Sequence, residues 1–67
     1  MKYLIYHTVR KLYLTDPKLN RPMFSSNRKI AYEFGSKEHA QAILDDNRLW
    51  REDVLAEKHL LKIVEEN

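Results

Sequence analysis

The chain has 67 residues, 43% of them hydrophobic and 33% charged, with 12 Lys+Arg against 10 Asp+Glu and no cysteine. That length is under half of the roughly 150 residues of a one-domain prior, so residues 1–67 read as a single small domain, one that buries only about 60% of its unfolded surface. The composition excludes intrinsic disorder, a disulfide framework and thiolate metal centres, and no apolar run approaches the roughly 20 residues needed to span a bilayer.

Lys2 to Thr8 is rich in tyrosine and aliphatic residues, which suit a pleated, half-buried surface. Tyr3 and Ile5 fall on one face, Leu4 and Tyr6 on the other. The apolar run is too short for an export signal, which needs about 7 to 15 apolar residues. With no cysteine in the chain, the expectation is a cytoplasmic protein. Val9 to Thr15 repeats the alternation, with Leu12 and Leu14 set against Lys11 and Tyr13. Two such runs in succession predict a hairpin turning near Thr8 to Arg10, although no Asn-Gly or Asp-Gly turn signal marks the register.

Both prolines fall in the stretch Asp16 to Pro22, which reads as a loop because proline lacks the donor a helix or central strand needs. Met23 and Phe24 return an apolar anchor, and Ser25, Ser26 and Asn27 offer caps for a short helical turn through Arg28 to Tyr32. Gly35, the only glycine, marks a bend at which a positive φ is expected. Ser36 is an N-cap, Glu38 suits the first helical turn, and Ala40, Ile43 and Leu44 form one stripe that Asn47 can extend. The predicted helix runs from Lys37 to Asn47.

Leu49, Trp50, Val54 and Leu55 read either as a second helical segment or as a loop folding onto the sheet. In Lys58 to Val64 the spacing of Leu60, Leu61, Ile63 and Val64 fits a helix, and the short apolar run between charges fits a strand. The strand is preferred, because a third strand completes a sheet that a lone hairpin cannot sustain. The expected fold is α+β: a small antiparallel sheet from Lys2–Thr8, Val9–Thr15 and Lys58–Val64, packed on one main helix. The expected core is Leu4, Tyr6, Leu12, Leu14, Phe24, Ile30, Ala31, Phe34, Ala40, Ile43, Leu44, Leu61 and Ile63.

The segment Ala31-Tyr32-Glu33-Phe34-Gly35-Ser36-Lys37-Glu38-His39-Ala40, with the Tyr3-Leu4-Ile5 and Tyr13-Leu14 strands and the aliphatic tail, resembles many small phage- and prophage-encoded accessory proteins. Those read as a hairpin, an "A..F.s.eeA" segment opening a helix, and a closing strand. The motif specifies a way of burying Ala31, Phe34 and Ala40 rather than a chemistry. The tryptophan often found before that segment is absent, Phe24 being the nearest candidate, and Leu49 to Glu57 is longer than such a tail usually needs. The resemblance implies binding to a host enzyme, polymerase, nuclease or defence component, by analogy with the family.

No constellation for catalysis stands out. His7, His39 and His59 lie too far apart in sequence for a compact ligand motif and read as ordinary histidines, so no metal site is expected. The carboxylate pairs Asp45–Asp46, Glu52–Asp53 and Glu65–Glu66 are adjacent, so on a helix they diverge and share no proton; they read as solvated acidic surface. With one glycine there is no phosphate loop, and Ser25, Ser26 and Ser36 have no neighbouring base. The expectation is a protein without catalytic residues or cofactor.

Charge is unevenly placed: residues 1–37 hold eight Lys+Arg and two Asp+Glu, and residues 38–67 hold four and eight. Arg10, Lys11, Lys18, Arg21, Arg28 and Lys29, interleaved with Tyr13, Met23 and Phe24, are the candidate nucleic-acid contacts. The alternative is that these cations rim a core or neutralise the acidic half, within the fold or in a homodimer. Tyrosine and tryptophan are enriched at binding hot spots, and the chain has four tyrosines and one tryptophan. Tyr3, Tyr13, Tyr32 and Trp50 are the candidate partner-binding residues, with Tyr6 of the same type. The leading expectation is a protein-interaction module that modulates a host protein; the rival is a small nucleic-acid-binding module.

Overall fold

The strands β1 (Lys2–His7), β2 (Leu12–Asp16), β3 (Met23–Ser25) and β4 (Leu61–Glu66) form one antiparallel sheet in the order β3-β2-β1-β4. This computed structural model describes residues 1–17, 22–50 and 52–66. Helix α1 (Lys37–Asp45) lies across β1 and β4, and a single turn, α2 (Glu52–Leu55), follows it. The arrangement is the expected α+β sheet on one main helix, enlarged by a fourth strand.

β1 is central, and its ladder with β4 runs the whole length, from Lys2 opposite Glu66 to His7 opposite Leu61. Its ladder with β2 is short, Tyr6 opposite Tyr13 and His7 opposite Leu12. Beyond those pairs a third segment joins the two strands. The Tyr32 N–H donates to the Leu14 carbonyl on β2, and Phe34 exchanges both backbone hydrogen bonds with Tyr3 on β1, at 2.8 and 3.0 Å. Residues 32–34 therefore supply the polar backbone partners that β1 and β2 no longer give each other.

The hairpin turn spans residues 8–11 and closes without Asn-Gly chemistry. Lys11 takes the left-handed conformation (φ 59°), and its N–H donates to the His7 carbonyl at 3.0 Å. Gly35 sits in a bend, but the positive φ expected there is absent; the strained position is Lys11. Met23 and Phe24, expected only as an apolar anchor, pair with Ser25 as β3, with Phe24 opposite Leu14, while residues 18–21 of the expected loop lie outside the described residues. Pro22 precedes this three-residue edge strand, where a missing donor costs the ladder nothing.

Register assigns the faces. Tyr3, Ile5 and His7 of β1 share the helix-covered face with Leu14, Phe24, Leu61 and Ile63. The expected core took the opposite β1 face, Leu4 and Tyr6. Leu4 is indeed fully buried there, but Tyr6 is only half-buried, and the main cluster gathers around Ile5, Leu14, Phe34, Ala40, Leu49, Trp50 and Leu61. Ile30, also expected in the core, is 55% exposed. It belongs to a 3-10 turn (Arg28–Ile30) capped by the Asn27 side chain, and at three residues per turn it is Ala31 that turns inward.

Helix α1 begins where predicted. The Ser36 hydroxyl accepts the His39 N–H at 3.1 Å, satisfying one orphan donor, and Glu38 sits in the first turn. The helix ends at Asp45, two residues before the expected Asn47, because Asp46 leaves helical geometry. The Asp46 carboxylate accepts the Arg48 N–H at 3.0 Å, a side-chain turn that reverses the chain and drops Leu49 and Trp50 into the core. After α2 a 3-10 turn (Lys58–Leu60) leads into β4, so the preferred strand is present but starts three residues later than predicted. Among the described residues no helix is long and apolar enough to cross a membrane.

Candidate functional site

The helix-free face of the sheet carries a cross-strand row, Ser25–Tyr13–Tyr6–Lys62, fixed by the register of all four strands. Tyr6 and Tyr13 stand directly opposite each other with ring centroids 4.8 Å apart and planes tilted by 49°. Such a pair favours a tilted geometry and presents two rigid rings at low entropic cost. Both rings are half-buried. Val64 and Met23 extend this face on β4 and β3, and Met23 is 57% exposed. Leu4 lies beneath, and the 3-10 turn reaches over one end of the face, where Arg28 bonds Glu66.

A second feature lies on the helix-covered side, where β1 turns into β2. A cavity of about 130 Å3 is lined by His7, Arg10, Leu12, Phe24, Val54 and Glu57. His7 is the one buried polar side chain among the described residues. Its Nδ1 accepts the Arg10 N–H at 3.0 Å, so the neutral ring carries its proton on Nε2. Nε2 is buried without a hydrogen-bond partner, 3.5 Å from Glu57 Oε1. The Arg10 guanidinium grips the same carboxylate through Nε (3.1 Å) and Nη2 (3.4 Å), which holds the Glu57 carboxyl below its ordinary range. Thr8 bonds the Leu60 carbonyl through both its N–H and its hydroxyl, tying this turn to the entrance of β4.

The candidate basic segment does not form one surface. Arg10 lies at the hairpin end, committed to Glu57, whereas Arg28 lies at the far end of β1 and β4, bonded to Glu66 and 3.7 Å from Glu33. The hydrogen bond from Arg28 holds the Glu66 carboxyl below its usual value, and Arg28 is raised in turn. Lys11 and Lys29 are exposed. Lys18 and Arg21 lie outside the described residues.

The four candidate partner-binding residues are not brought together. Tyr13 stands on the helix-free face. Tyr3 packs against the main core, and Tyr32 leans on Phe34 (4.7 Å), which meets His39 of α1 edge-on. Trp50 must be withdrawn as a contact residue: at 3% exposure it is core, facing Phe24 and donating its indole N–H to the Leu44 carbonyl at 3.1 Å. Among the described residues no three His, Cys, Asp or Glu are grouped so as to hold a metal ion. From its sequence context alone His7 is an ordinary histidine. It shares the parity of Tyr3 and Ile5, the β1 face that the expected core left out, and nothing local links it to Glu57, fifty positions on.

No family model, curated protein or solved structure matches the chain.

Proposed function

We propose that the chain is a non-enzymatic protein-interaction module that docks on a partner protein through the helix-free face of its sheet. The observation that carries this reading is the Tyr6–Tyr13 pair, half-buried on the face opposite α1, clear of the end that the 3-10 turn reaches over, and bordered by Val64 and Met23. Tyrosine rings flanked by aliphatic groups are the composition of binding hot spots. Lys62 ends the row without a carboxylate partner among the described residues, so the complementary surface is apolar at its centre and acidic beside Lys62. Four strands about 4.8 Å apart give a face of roughly 300 Å2, which belongs to reversible rather than permanent complexes.

The likeness of residues 31–40 to small phage-encoded proteins favours a host protein in the cytoplasm as the partner. The basic-segment alternative is weaker, because two of its arginines are already paired with carboxylates at opposite ends of the sheet.

A photo-crosslinking residue placed at Tyr13, or at Gln41 on the exposed side of α1, tests the reading in host lysate. Crosslinking of one defined protein from position 13 alone is expected, followed by micromolar binding of that purified protein in calorimetry, weakened at least tenfold by Tyr6→Ser. Equal crosslinking from both positions, or crosslinking to nucleic acid, overturns it.

A further inference from the structure

The His7 cavity is on the opposite side of the sheet from the proposed docking face, and what it binds does not depend on that reading. We propose that this cavity is a binding site for a small neutral ring compound presenting an amide edge, a carbonyl beside an N–H.

The polar end of the cavity sets the edge. His7 Nε2 carries the proton, because Nδ1 is occupied by the Arg10 N–H, and this buried donor makes no well-formed hydrogen bond, its nearest acceptor being Glu57 Oε1 at 3.5 Å. Buried polar groups are almost always paired, so an orphaned donor beside a cavity marks where a ligand acceptor belongs. Beside it, 3.5 Å away, is Glu57 Oε1. A carboxylate offers about four acceptor sites, of which Arg10 uses two, so Glu57 keeps capacity for a donor. A donor and an acceptor side by side complement a ligand with an acceptor and a donor side by side. The same logic lets one side-chain amide read a base edge with two bonds. The ligand carbonyl accepts from His7 Nε2, and the adjacent ligand N–H donates to Glu57.

The rest of the cavity sets the body. Leu12 and Val54 are aliphatic, and Phe24 supplies an aromatic wall. The volume of about 130 Å3 is close to that of a cavity known to hold benzene, about 150 Å3, so one six-membered ring fills it. Charge sets neutrality: an anion meets the Glu57 carboxylate, and a cation meets the Arg10 guanidinium and the imidazole N–H.

Uracil is the probe, and its N-methylated form, which keeps the ring and carbonyls but lacks the N–H groups, is the control. Titrated into the isotope-labelled chain and followed by NMR, uracil is expected to shift the His7 Nε2 and Val54 methyl signals with millimolar saturation, as about eight heavy atoms allow. The methylated form is expected to bind about tenfold more weakly, because it leaves the buried groups unpaired. Glu57→Leu is expected to erase that preference, and Val54→Phe, which fills the cavity, to abolish binding. Should Val54→Phe fail to fold, the Glu57→Leu comparison decides alone. No saturable shift up to the solubility limit, equal binding of the two probes, or an unchanged preference in Glu57→Leu overturns the proposal.

Discussion

Trp50 donates its indole N–H to the carbonyl of Leu44, six residues back and in the last turn of α1. The bond satisfies one of the carbonyls that a helix end leaves unpaired and fastens the returning chain to the helix it has just left. The ring itself fills the core beside Phe24. Trp50→Ala is therefore expected to cost about 3–5 kcal/mol, comparable with the whole stability of so small a domain. Trp50→Phe keeps most of the packing and forfeits the hydrogen bond, about 1 kcal/mol. Urea titration followed by circular dichroism separates the two: an unfolded alanine variant and a folded, weakened phenylalanine variant. Partner binding lost in Trp50→Ala reports unfolding rather than a contact.

Lys11 is the one non-glycine residue with positive φ among the described residues, and its backbone closes the hairpin. The left-handed conformation costs a residue with a Cβ roughly 1–2 kcal/mol, a cost glycine avoids. Glycine also adds entropy to the unfolded chain, which opposes part of that gain. Lys11→Gly is expected to raise the urea midpoint slightly, by up to about 1 kcal/mol in stability, and Lys11→Val to lower it by more. A glycine variant less stable than the valine variant would show that the turn is not held as described.

Much of this architecture is legible in sequence where a local signal coincides with a tertiary one. Ser36 followed by the Ala40, Ile43 and Leu44 stripe announces α1, and the cap hydrogen bond to His39 is where that pattern places it. Legibility fails where the deciding partner is remote. Met23 to Ser25 carries too few residues for an alternation to register, and only its pairing with Tyr13, Leu14 and Asp16 of β2 makes it a strand. Leu4 and Ile5 are both fully buried, so alternation in β1 does not say which face meets the helix. Residues 32–34 look like a connector and serve as backbone partners of two strands. His7 and Glu57 meet through remote pairings, His7 with Leu61 across the β1–β4 ladder and Thr8 with the Leu60 carbonyl at the β4 entrance.

Two carboxyls at opposite ends of the sheet give the fold an acid sensitivity of known sign. Arg28 lowers the pKa of Glu66 and Arg10 that of Glu57, each below an ordinary value of 4.5. A carboxyl whose folded pKa is depressed contributes stability that is fully present above its unfolded pKa and is lost as pH falls through the folded value. Melting temperature is expected to be flat from about pH 7 to pH 5 on account of these groups and to fall below about pH 4. Glu66→Gln removes one such contribution, leaving those of Glu57 and of Asp46 beside Arg48, so its melting temperature falls less steeply over the acid limb. Both pairs are partly exposed, and added salt is expected to shrink the difference. An acid limb identical in the wild-type and Glu66→Gln chains rejects the coupling.

The docking reading and the nucleic-acid reading separate on salt and on which side chains matter. If phosphates are the partner, labelled single- or double-stranded oligonucleotides bind with an affinity that drops steeply with salt, and reversing Lys11 and Lys29 to Glu weakens them. If a protein is the partner, those reversals leave its affinity within about twofold, because its energy comes from desolvated rings rather than exposed charge. Arg28→Glu is a poor probe of either, since it sets a new carboxylate against Glu66 and Glu33 and is expected to destabilise the fold. Tyr13→Ser is the informative change. It breaks the ring pair with Tyr6, worth about 0.5–1.5 kcal/mol beyond the area the half-buried ring gives up, and removes the centre of the docking face; circular dichroism checks that the variant is folded. Fluorescence anisotropy with oligonucleotides at two salt concentrations, run beside calorimetry with the purified partner, is expected to give no salt-sensitive binding and at least a tenfold loss of partner affinity in Tyr13→Ser.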